Sequence, residues 1–258
     1  MIVNALVEYI FIINTIKIKF STWLKKDKIT NFMKMSMPNK SKPSRTIQTY
    51  AAEIFRLEQD SDQVSLSALA HALDSSHQAI SRMIQKMENS GYCEFEAYRG
   101  VRLTELGRKT AMPSLRRHRL GEVFLVNVMG YDWAEAHILA DQFENGLNQD
   151  LENRIDELTG HPAHCPHGEP IPNKQGEIVF PNDKPLVESE TNLNYRLSRV
   201  RTHDTDKLRY LHELQLKPGL EFMYVSKAPF RGPVRMRFPE GDKILGFELA
   251  SSFWVEAI

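Results

Sequence analysis

The fold is decided by residues 74–104, which read DSSHQAISRMIQKMENSGYCEFEAYRGVRLT. Ser75 and Ser76 are residue types that favour the N-cap of a helix. The apolar side chains that follow recur at helical spacing, as Ile80, Ile84 and Met87. Gly91 is a residue type that ends helices, so the first half of the stretch predicts one amphipathic helix.

The second half of the same stretch predicts a β-hairpin. Apolar and polar residues alternate over residues 92–104, and Arg99-Gly100 suits the turn. Two helical patterns come before the stretch, at residues 46–59 and 65–73, and only a short polar turn follows the second one. Helices joined so tightly predict a helix-turn-helix, and the hairpin behind them predicts a winged helix. The order of elements alone is also compatible with another small α+β domain.

Polar residues at the start of the third helix favour DNA as a partner. Glutamine can read adenine and arginine can read guanine in the major groove, while serine hydroxyls hold phosphates. The candidate DNA-contacting residues of this helix are Ser76, His77, Gln78, Ser81 and Arg82. Arg99 and Arg102 in the hairpin are further candidates. We therefore expect double-stranded DNA to be bound by this part of the chain.

Charge is unevenly distributed along the chain. The 258 residues include 33 Lys and Arg and 33 Asp and Glu, so the formal net charge is zero. The charged residues within 98–119 are nevertheless mostly basic, and the charged residues within 132–160 are mostly acidic. The basic block predicts a polyanion as partner, and the acidic block predicts cations or a positively charged neighbour.

Length and composition predict a soluble protein of two or three globular domains, with 41% hydrophobic residues. The two cysteines, Cys93 and Cys165, lie far apart and imply no disulfide framework, so we expect a cytoplasmic protein. Residues 1–45 begin with an apolar segment that charged residues interrupt and that lacks the features of a signal peptide. We interpret them as an extension from a misassigned start, with a membrane anchor or interfacial helix as the alternative.

Helical patterns continue after the hairpin. One runs from about residue 105 to 129, and two more occupy residues 132–158. Their apolar surface exceeds what one small domain needs, which suggests a dimerisation layer. Packing within the same chain explains this surface almost equally well.

The C-terminal part alternates like a β domain, with one short helix at about residues 204–214. The predicted fold is therefore mostly α with small β parts. We expect a winged helix-turn-helix at 46–112, a helical metal-binding and dimerisation domain at 113–187, and an SH3-like β-barrel at 188–258.

Candidate metal ligands fall in three places. His118 and Glu122 are spaced i, i+4 and share a helix face, as do His137, Asp141 and Glu144 on the next helix. The stretch HPAHCPHGEPIP, residues 161–172, adds Cys165 and His167 in a loop stiffened by prolines. This mixture of nitrogen, oxygen and sulfur suits Mn²⁺, Fe²⁺, Co²⁺ or Zn²⁺. The alternative is a proline-rich linker whose polar side chains face water.

Several of these segments resemble one family. YRGVRLTELGRK (98–109), RRHRLGEVFLVNVMGYDWAEAH (116–137) and HPAHCPHGEPIP together are similar to the DtxR/MntR family of metal-dependent transcriptional repressors. The stretch LRYLHELQLKPGLEF (208–222) resembles the FeoA-like SH3 domain of that family. The resemblance implies a homodimer that binds a palindromic operator when loaded with Mn²⁺ or Fe²⁺, controlling genes of manganese and iron homeostasis.

The resemblance also implies two metal positions per subunit. For the first, the matching ligands are Glu122, Cys165, His167 and, from the SH3 domain, Asp204; other family members would use His118, Glu122 and His137. For the second, the family positions read Thr49, Asp141, Glu144 and Asn145 here. Thr49 and Asn145 are weak neutral ligands, so the second position is expected to bind metal weakly.

Two other functions fit part of the sequence. A metallohydrolase could use His118, Glu122 and His137 with an open water position, but no dedicated general base is evident and a winged helix has no role there. A DNA-binding regulator with structural zinc in the 161–172 loop is the second alternative. We expect a non-enzymatic regulator with Mn²⁺ as its ion, and Fe²⁺ or Zn²⁺ as the alternatives.

Overall fold

The computed structural model describes residues 43–202 and 204–258. The predicted N-terminal extension, except for its last residues, lies outside this part of the chain. Among the described residues, no helix is both long enough and apolar enough to cross a membrane.

The N-terminal part is a helix-turn-helix with a hairpin behind it. Its elements are α1 (Arg45–Leu57), α2 (Leu66–Ala72), α3 (His77–Asn89), β1 (Cys93–Glu96) and β2 (Gly100–Leu103). Ser76 is the N-cap of α3, because its hydroxyl accepts from the backbone N–H of Ala79 at 3.2 Å. The predicted hairpin is present, but it pairs Glu96 with Gly100, so the turn lies at residues 97–99 and Gly100 begins the second strand instead of lying in the turn. Ile80, Ile84 and Met87 are buried in the core below α3.

Three helices follow, α4 (Glu105–Asn127), α5 (Trp133–Gly146) and α6 (Gln149–Leu158). Thr104, Asp132 and Asn148 cap them, each accepting a backbone N–H within the first turn. Helix α4 is central. Its first half packs into the core of the winged helix through Ala111, Met112 and Leu115, and its second half packs into a separate cluster through Leu120 and Val123.

The C-terminal part is a six-stranded antiparallel sheet in the order β3-β8-β4-β5-β6-β7. Its strands are β3 (Lys184–Pro185), β4 (Leu193–Val200), β5 (Glu221–Lys227), β6 (Val234–Phe238), β7 (Gly241–Leu245) and β8 (Phe253–Ala257). The short helices α7 (Thr205–Glu213) and α8 (Phe247–Ala250) accompany the sheet. The predicted fold class, a winged helix with a helical domain and a small C-terminal β domain, is confirmed.

The loop between α6 and β3 contacts the winged helix, and its His167 carbonyl accepts from Val200 N–H of β4 at 2.8 Å. Ile178 packs against the core of the winged helix, and the ring of Phe180 stacks on Phe55 of α1 with centroids 6.5 Å apart. Arg201, just after β4, pairs with Asp60 just after α1 at 2.8 Å. The loop that carries Cys165 and His167 is therefore held between the DNA-binding part and the β domain.

Candidate metal centre

Three imidazoles, two of them buried and that of His137 partly buried, surround the carboxylate of Glu122 on α4. Its Oε1 lies 3.1 Å from His118 Nε2, 2.8 Å from His137 Nδ1 and 3.4 Å from His167 Nδ1. The spacing of His118 and Glu122 puts both on one face of α4, and α5 brings His137 to that face. The sequence predicted this juxtaposition because i, i+4 spacing is a local property of helices.

The 161–172 loop supplies a thiol and another imidazole. Sγ of Cys165 lies 3.8 Å from Nδ1 of His167, and both residues are buried. Nε2 of His167 donates to the backbone carbonyl of Trp133 at 3.1 Å, since a carbonyl can only accept. This contact orients the ring and places Nδ1 beside Glu122 and Cys165.

The loop keeps its shape through its own backbone. Cys165 N–H donates to the carbonyl of Glu169, and Gly168 N–H donates to the carbonyl of Cys165, both at 2.9 Å. Gly168 has φ of +84°, and a Cβ there would lie 2.1 Å from the carbonyl oxygen of Ser198. Only glycine fits both the left-handed conformation and the close approach to β4. His167 is thereby fixed against the β domain, where its carbonyl accepts from Val200 N–H at 2.8 Å.

The electrostatics of the cluster follow from burial and close opposite charges. Burial opposes ionisation of Glu122, but the charges of His167 and His118 and the hydrogen bonds from His118 and His137 hold its pKa well below its ordinary value. Burial and Arg56 lower the pKa of His118, yet Glu122 and Asp141 raise it to about 9. Burial, followed by the charge of Glu122, raises the pKa of Cys165 well above its ordinary value. Metal binding here requires proton release from His118 and Cys165, whereas Glu122 is already ionised.

The donor set fits a divalent transition metal. Two groups share Glu122: His118, Glu122 and His137 form one, and Glu122, Cys165 and His167 form the other, with the ligand atoms of each group within 4.8 Å of one another. They line a cavity of about 270 Å³, which also reaches α1 and the segment after β4. A carboxylate, imidazoles and a thiolate suit Fe²⁺, Mn²⁺, Co²⁺ and Zn²⁺ better than Ca²⁺ or Mg²⁺. These residues would hold the metal.

The structure places Asp204, an expected ligand, outside the cluster. Its carboxylate is the N-cap of α7, where Oδ1 accepts from the backbone N–H groups of Asp206 at 3.0 Å and Lys207 at 3.1 Å. Oδ2 lies 3.8 Å from Nζ of Lys207. Asp204 is in neither ligand group. The local alignment matched the residue type, but capping a helix fixes the carboxylate outside the cluster. Besides Glu122, the carboxylates of Glu169 and Asp60 line the cavity, and neither was among the ligands expected from the sequence.

The second expected position is only partly assembled. Asp141 Oδ1 lies 3.0 Å from His118 Nδ1, and the buried Glu144 lies 3.7 Å from the same nitrogen. Thr49 approaches Glu144 at 3.5 Å, but its hydroxyl also donates to the carbonyl of Arg45 at 3.1 Å. Asn145 donates its side-chain amide to the carbonyl of Asp141, back onto its own helix. The position thus offers two carboxylates, to which Asn145 could add only the neutral oxygen Oδ1.

The candidate DNA-contacting residues lie on an exposed face of α3 and on the hairpin. Ser76, His77, Gln78, Ser81 and Arg82 are exposed. Arg99 pairs with Glu96 and Arg102 with Glu94, both at 3.0 Å, in ion pairs that are mostly exposed. Such pairs are worth little, so phosphates can replace the carboxylates. Gln85 and Lys86 are also exposed on α3, and helical periodicity could have added them.

The basic block is not one polyanion-binding surface. Arg116 and Arg119 of α4 are buried. Arg116 pairs with Glu152 and Asp156 of α6, each at 2.9 Å, and Arg119 pairs with Glu169 of the loop at 3.1 Å. Arg116 and Arg119 are therefore neutralised by carboxylates of this chain, and they fasten α6 and the loop to α4, while the buried Arg117 donates to Gln48 Oε1. Only the hairpin and the start of α4 keep basic side chains exposed.

Profiles of known families match most of the chain. Residues 42–101 match "Iron dependent repressor, N-terminal DNA binding domain", and residues 104–173 match "Iron dependent repressor, metal binding and dimerisation domain". Residues 184–257 match the FeoA domain.

Individual relatives agree with the profiles. The iron-dependent repressor IdeR of Mycobacterium tuberculosis is 34% identical over 127 residues, which are 49% of this chain and 55% of the relative, so the match spans about half its length. The diphtheria toxin repressor of Corynebacterium glutamicum is 26% identical over 70% of this chain and 84% of the relative. A solved manganese-dependent transcriptional repressor in complex with manganese is 30% identical, with a TM-score of 0.76 over 82% of this chain and all of the other. The chain therefore belongs to the DtxR/MntR family of iron- and manganese-dependent transcriptional repressors.

Proposed function

We propose that the chain is a cytoplasmic transcriptional repressor that binds a palindromic DNA operator as a homodimer when a divalent metal ion is bound. The observation that carries the proposal is the position of the candidate ligands His118 and Glu122. They lie on α4, the same continuous helix whose first half forms part of the winged-helix core. A single helix thus joins the candidate metal centre to the winged helix, which carries the candidate DNA-contacting residues. The relatives are transcriptional repressors rather than hydrolases, which leaves the enzymatic alternative without support.

The ligands are proposed to be His118, Glu122, His137, Cys165 and His167. A bound divalent ion would neutralise the buried carboxylate and thiolate and would link α4, α5 and the loop. Glu122 holds the imidazoles together, Trp133 orients His167, and Asp141 orients His118 through Nδ1. These contacts prepare the site before metal arrives, which reduces the cost of ordering it.

The proposed ion is Mn²⁺, with Fe²⁺ as the principal alternative and Zn²⁺ as the third. Similarity to a solved repressor in complex with manganese supports Mn²⁺. The buried thiol and the imidazoles support Fe²⁺ or Zn²⁺, because these donors are softer than the oxygen ligands that Mn²⁺ prefers. The proposed genes are those of manganese and iron homeostasis.

The proposed route from metal to DNA runs through α4 and the loop. The loop reaches the β domain through Glu169, which pairs with Arg199 at 3.3 Å and lies 3.7 Å from Arg201. Arg201 in turn pairs with Asp60 beside α1. Metal binding that orders the loop would thus also restrain α1, which packs on α4 in the winged helix.

The proposed dimer interface lies on α5 and α6. Leu151 and Leu158 are half-exposed on one face of α6, and Ile138 of α5 is 40% exposed. A second copy of the chain would cover these side chains, as the dimerisation domain of the family implies. We propose the division of the chain at residues 112–113 and 187–188, with α4 crossing the first of these boundaries.

The test is selection of an operator from random DNA with the full chain and Mn²⁺, followed by binding titrations. Gln78→Ala and Arg82→Ala are expected to weaken operator binding by about 1–3 kcal/mol and to change base preference. Arg99→Ala and Arg102→Ala are expected to weaken binding to all DNA sequences and to lower the salt dependence of that binding. Unchanged operator binding in all four variants would overturn the proposal that the winged helix binds DNA through these residues. Loss of the folded state on chelation, seen by circular dichroism, would indicate structural zinc instead of sensing.

A further inference from the structure

A stack of aromatic rings and one guanidinium joins the winged helix to the β domain. The ring of Phe180, in the loop between α6 and β3, lies at 22° to the ring of Phe55 on α1. Cζ of Arg199 on β4 lies 5.6 Å from the centroid of the Phe180 ring and 4.6 Å from that of Trp254 on β8. Such contacts gain strength when the cation is desolvated, and the side chain of Arg199 is only 4% exposed. We call these four side chains the inter-domain stack.

A buried carboxylate fixes the guanidinium of the inter-domain stack. Asp183 accepts from Nε and from Nη2 of Arg199, each at 2.7 Å, in a bidentate pair. The hydroxyl of Ser198 donates to the same carboxylate at 2.7 Å. Asp183 follows Phe180 by three residues, so this short segment of the loop is fastened to β4 at both of its ends. The ring of Phe180 is thereby held in place from the side of the β domain.

The inter-domain stack is a second attachment of the winged helix to the rest of the chain. The first attachment is α4, and Pro113 lies inside this helix, close to where it leaves the winged-helix core. Proline has no backbone N–H, so α4 lacks the hydrogen bond from residue 113 to the carbonyl of Lys109. Helices bend preferentially at such residues. Phe180 contacts α1, a different helix, so the two attachments together oppose rotation of the winged helix about Pro113.

The inter-domain stack is separate from the candidate metal centre. Within the described part of the chain, none of its four side chains belongs to a ligand group or lines the cavity around Glu122. Arg199 does contact Glu169 of the cavity wall, at 3.3 Å. Phe180 is therefore the better position for a substitution that leaves the metal centre unchanged, and its 37% exposure makes the substitution compatible with folding.

We propose that Phe180 is a positioning residue for operator binding. Through the inter-domain stack, the β domain holds the winged helix in one orientation and so sets the spacing of operator half-sites that the dimer accepts. The inference rests on the proposed function, in which a homodimer binds a palindromic operator. It assigns the β domain a role in DNA binding that does not depend on a change in metal affinity.

The experiment varies the spacing of the half-sites in the operator selected with the full chain and Mn²⁺. One inserted or removed base pair turns one half-site relative to the other by about 35° and moves it by about 3.4 Å. With saturating Mn²⁺, the wild type is expected to lose at least about 10-fold in affinity on either altered operator.

Phe180→Ala should change this pattern without changing the affinity for Mn²⁺. Loss of one aromatic pair should weaken binding to the selected operator by about 3–10-fold. The further loss on the altered operators should fall below about threefold, because a winged helix that can rotate follows the displaced half-site. This flattening is the decisive result, since a general loss of stability would weaken binding to all three operators alike.

Matched variants control the test. Phe180→Tyr retains the ring and should keep the wild-type spacing preference. Phe230→Ala makes the same substitution at a fully exposed phenylalanine between β5 and β6, and it should behave as the wild type. If circular dichroism shows that Phe180→Ala is unfolded, Phe180→Leu takes its place, because leucine keeps apolar volume but removes the stacked ring. Unfolding of both variants would assign Phe180 to the folding core and overturn its positioning role.

The remaining outcomes separate the inference from the proposed function. An unchanged spacing preference in folded Phe180→Ala would overturn the role of Phe180, even if its operator affinity falls. An affinity for Mn²⁺ lowered by more than about threefold would place the effect in the metal centre and overturn that role as well. Both results leave the proposed function intact. Failure of the wild type to select any operator with Mn²⁺ would overturn the proposed function, and the role of Phe180 with it.

Discussion

Replacement of Glu122 by glutamine is predicted to weaken metal binding more than loss of any other single ligand. The carboxylate is buried, lies within 3.4 Å of imidazoles from His118, His137 and His167, and belongs to both ligand groups. Substitution of a residue that only orients a metal ligand lowers metal affinity by about 10–100-fold. Loss of a charged ligand that both groups share should lower metal affinity at least about 1000-fold, which is about 4 kcal/mol. Cys165→Ala and His137→Ala each leave one group complete and should cost less.

Isothermal titration with Mn²⁺ in anaerobic, reducing buffer measures these differences, because the thiol of Cys165 can oxidise. Circular dichroism in chelator establishes that each variant is folded before it is titrated. Glu157→Gln is the matched control, since this carboxylate is exposed on α6 and pairs only with Arg154. An affinity of folded Glu122→Gln within about threefold of the wild type would refute the reasoning, as would a larger loss in Cys165→Ala.

The remaining predictions concern Gly168 in the 161–172 loop, Arg82 in the winged helix and the thiol of Cys93. Gly168→Ala should lower Mn²⁺ affinity by about 10-fold or more, because a Cβ there collides with Ser198 and displaces His167; titration of the folded variant measures this. Arg82→Lys should lose operator specificity while keeping affinity for random DNA, because lysine cannot make the bidentate contact with guanine; competition binding measures both, and an unchanged ratio would contradict it. Burial raises the pKa of Cys93 to about 12, so its thiolate is scarce at about pH 8 and it should not react with a thiol reagent until the protein unfolds; rapid labelling of native protein would contradict this.

Local features were predictable because they depend on neighbours in sequence. Ser76 as a cap, the hairpin turn near Arg99 and the i, i+4 pair of His118 and Glu122 each need only a few consecutive residues. Residue type and spacing fix such features before any tertiary contact forms. This is why the order of helices and strands, and the helical half of the candidate site, followed from the sequence.

Features that depend on distant partners were not predictable. Arg116 and Arg119 read as part of a surface for a polyanion, but their partners Glu152 and Glu169 lie more than 35 residues away along the chain. Asp204 has the right residue type for a ligand, but the sequence does not show that it lies outside the cluster of Glu122, Cys165 and His167.

The claim that metal and operator binding are coupled can be tested most directly through thermodynamic reciprocity. The operator dissociation constant is measured with and without saturating Mn²⁺, and the Mn²⁺ dissociation constant is measured with and without saturating operator, in the same buffer and salt. If both ligands favour one state of the α4 and loop assembly, the two ratios must be equal and at least about 10-fold, or about 1.4 kcal/mol of coupling. Equal operator affinity in Mn²⁺ and in chelator, with the protein folded in both, would contradict the account.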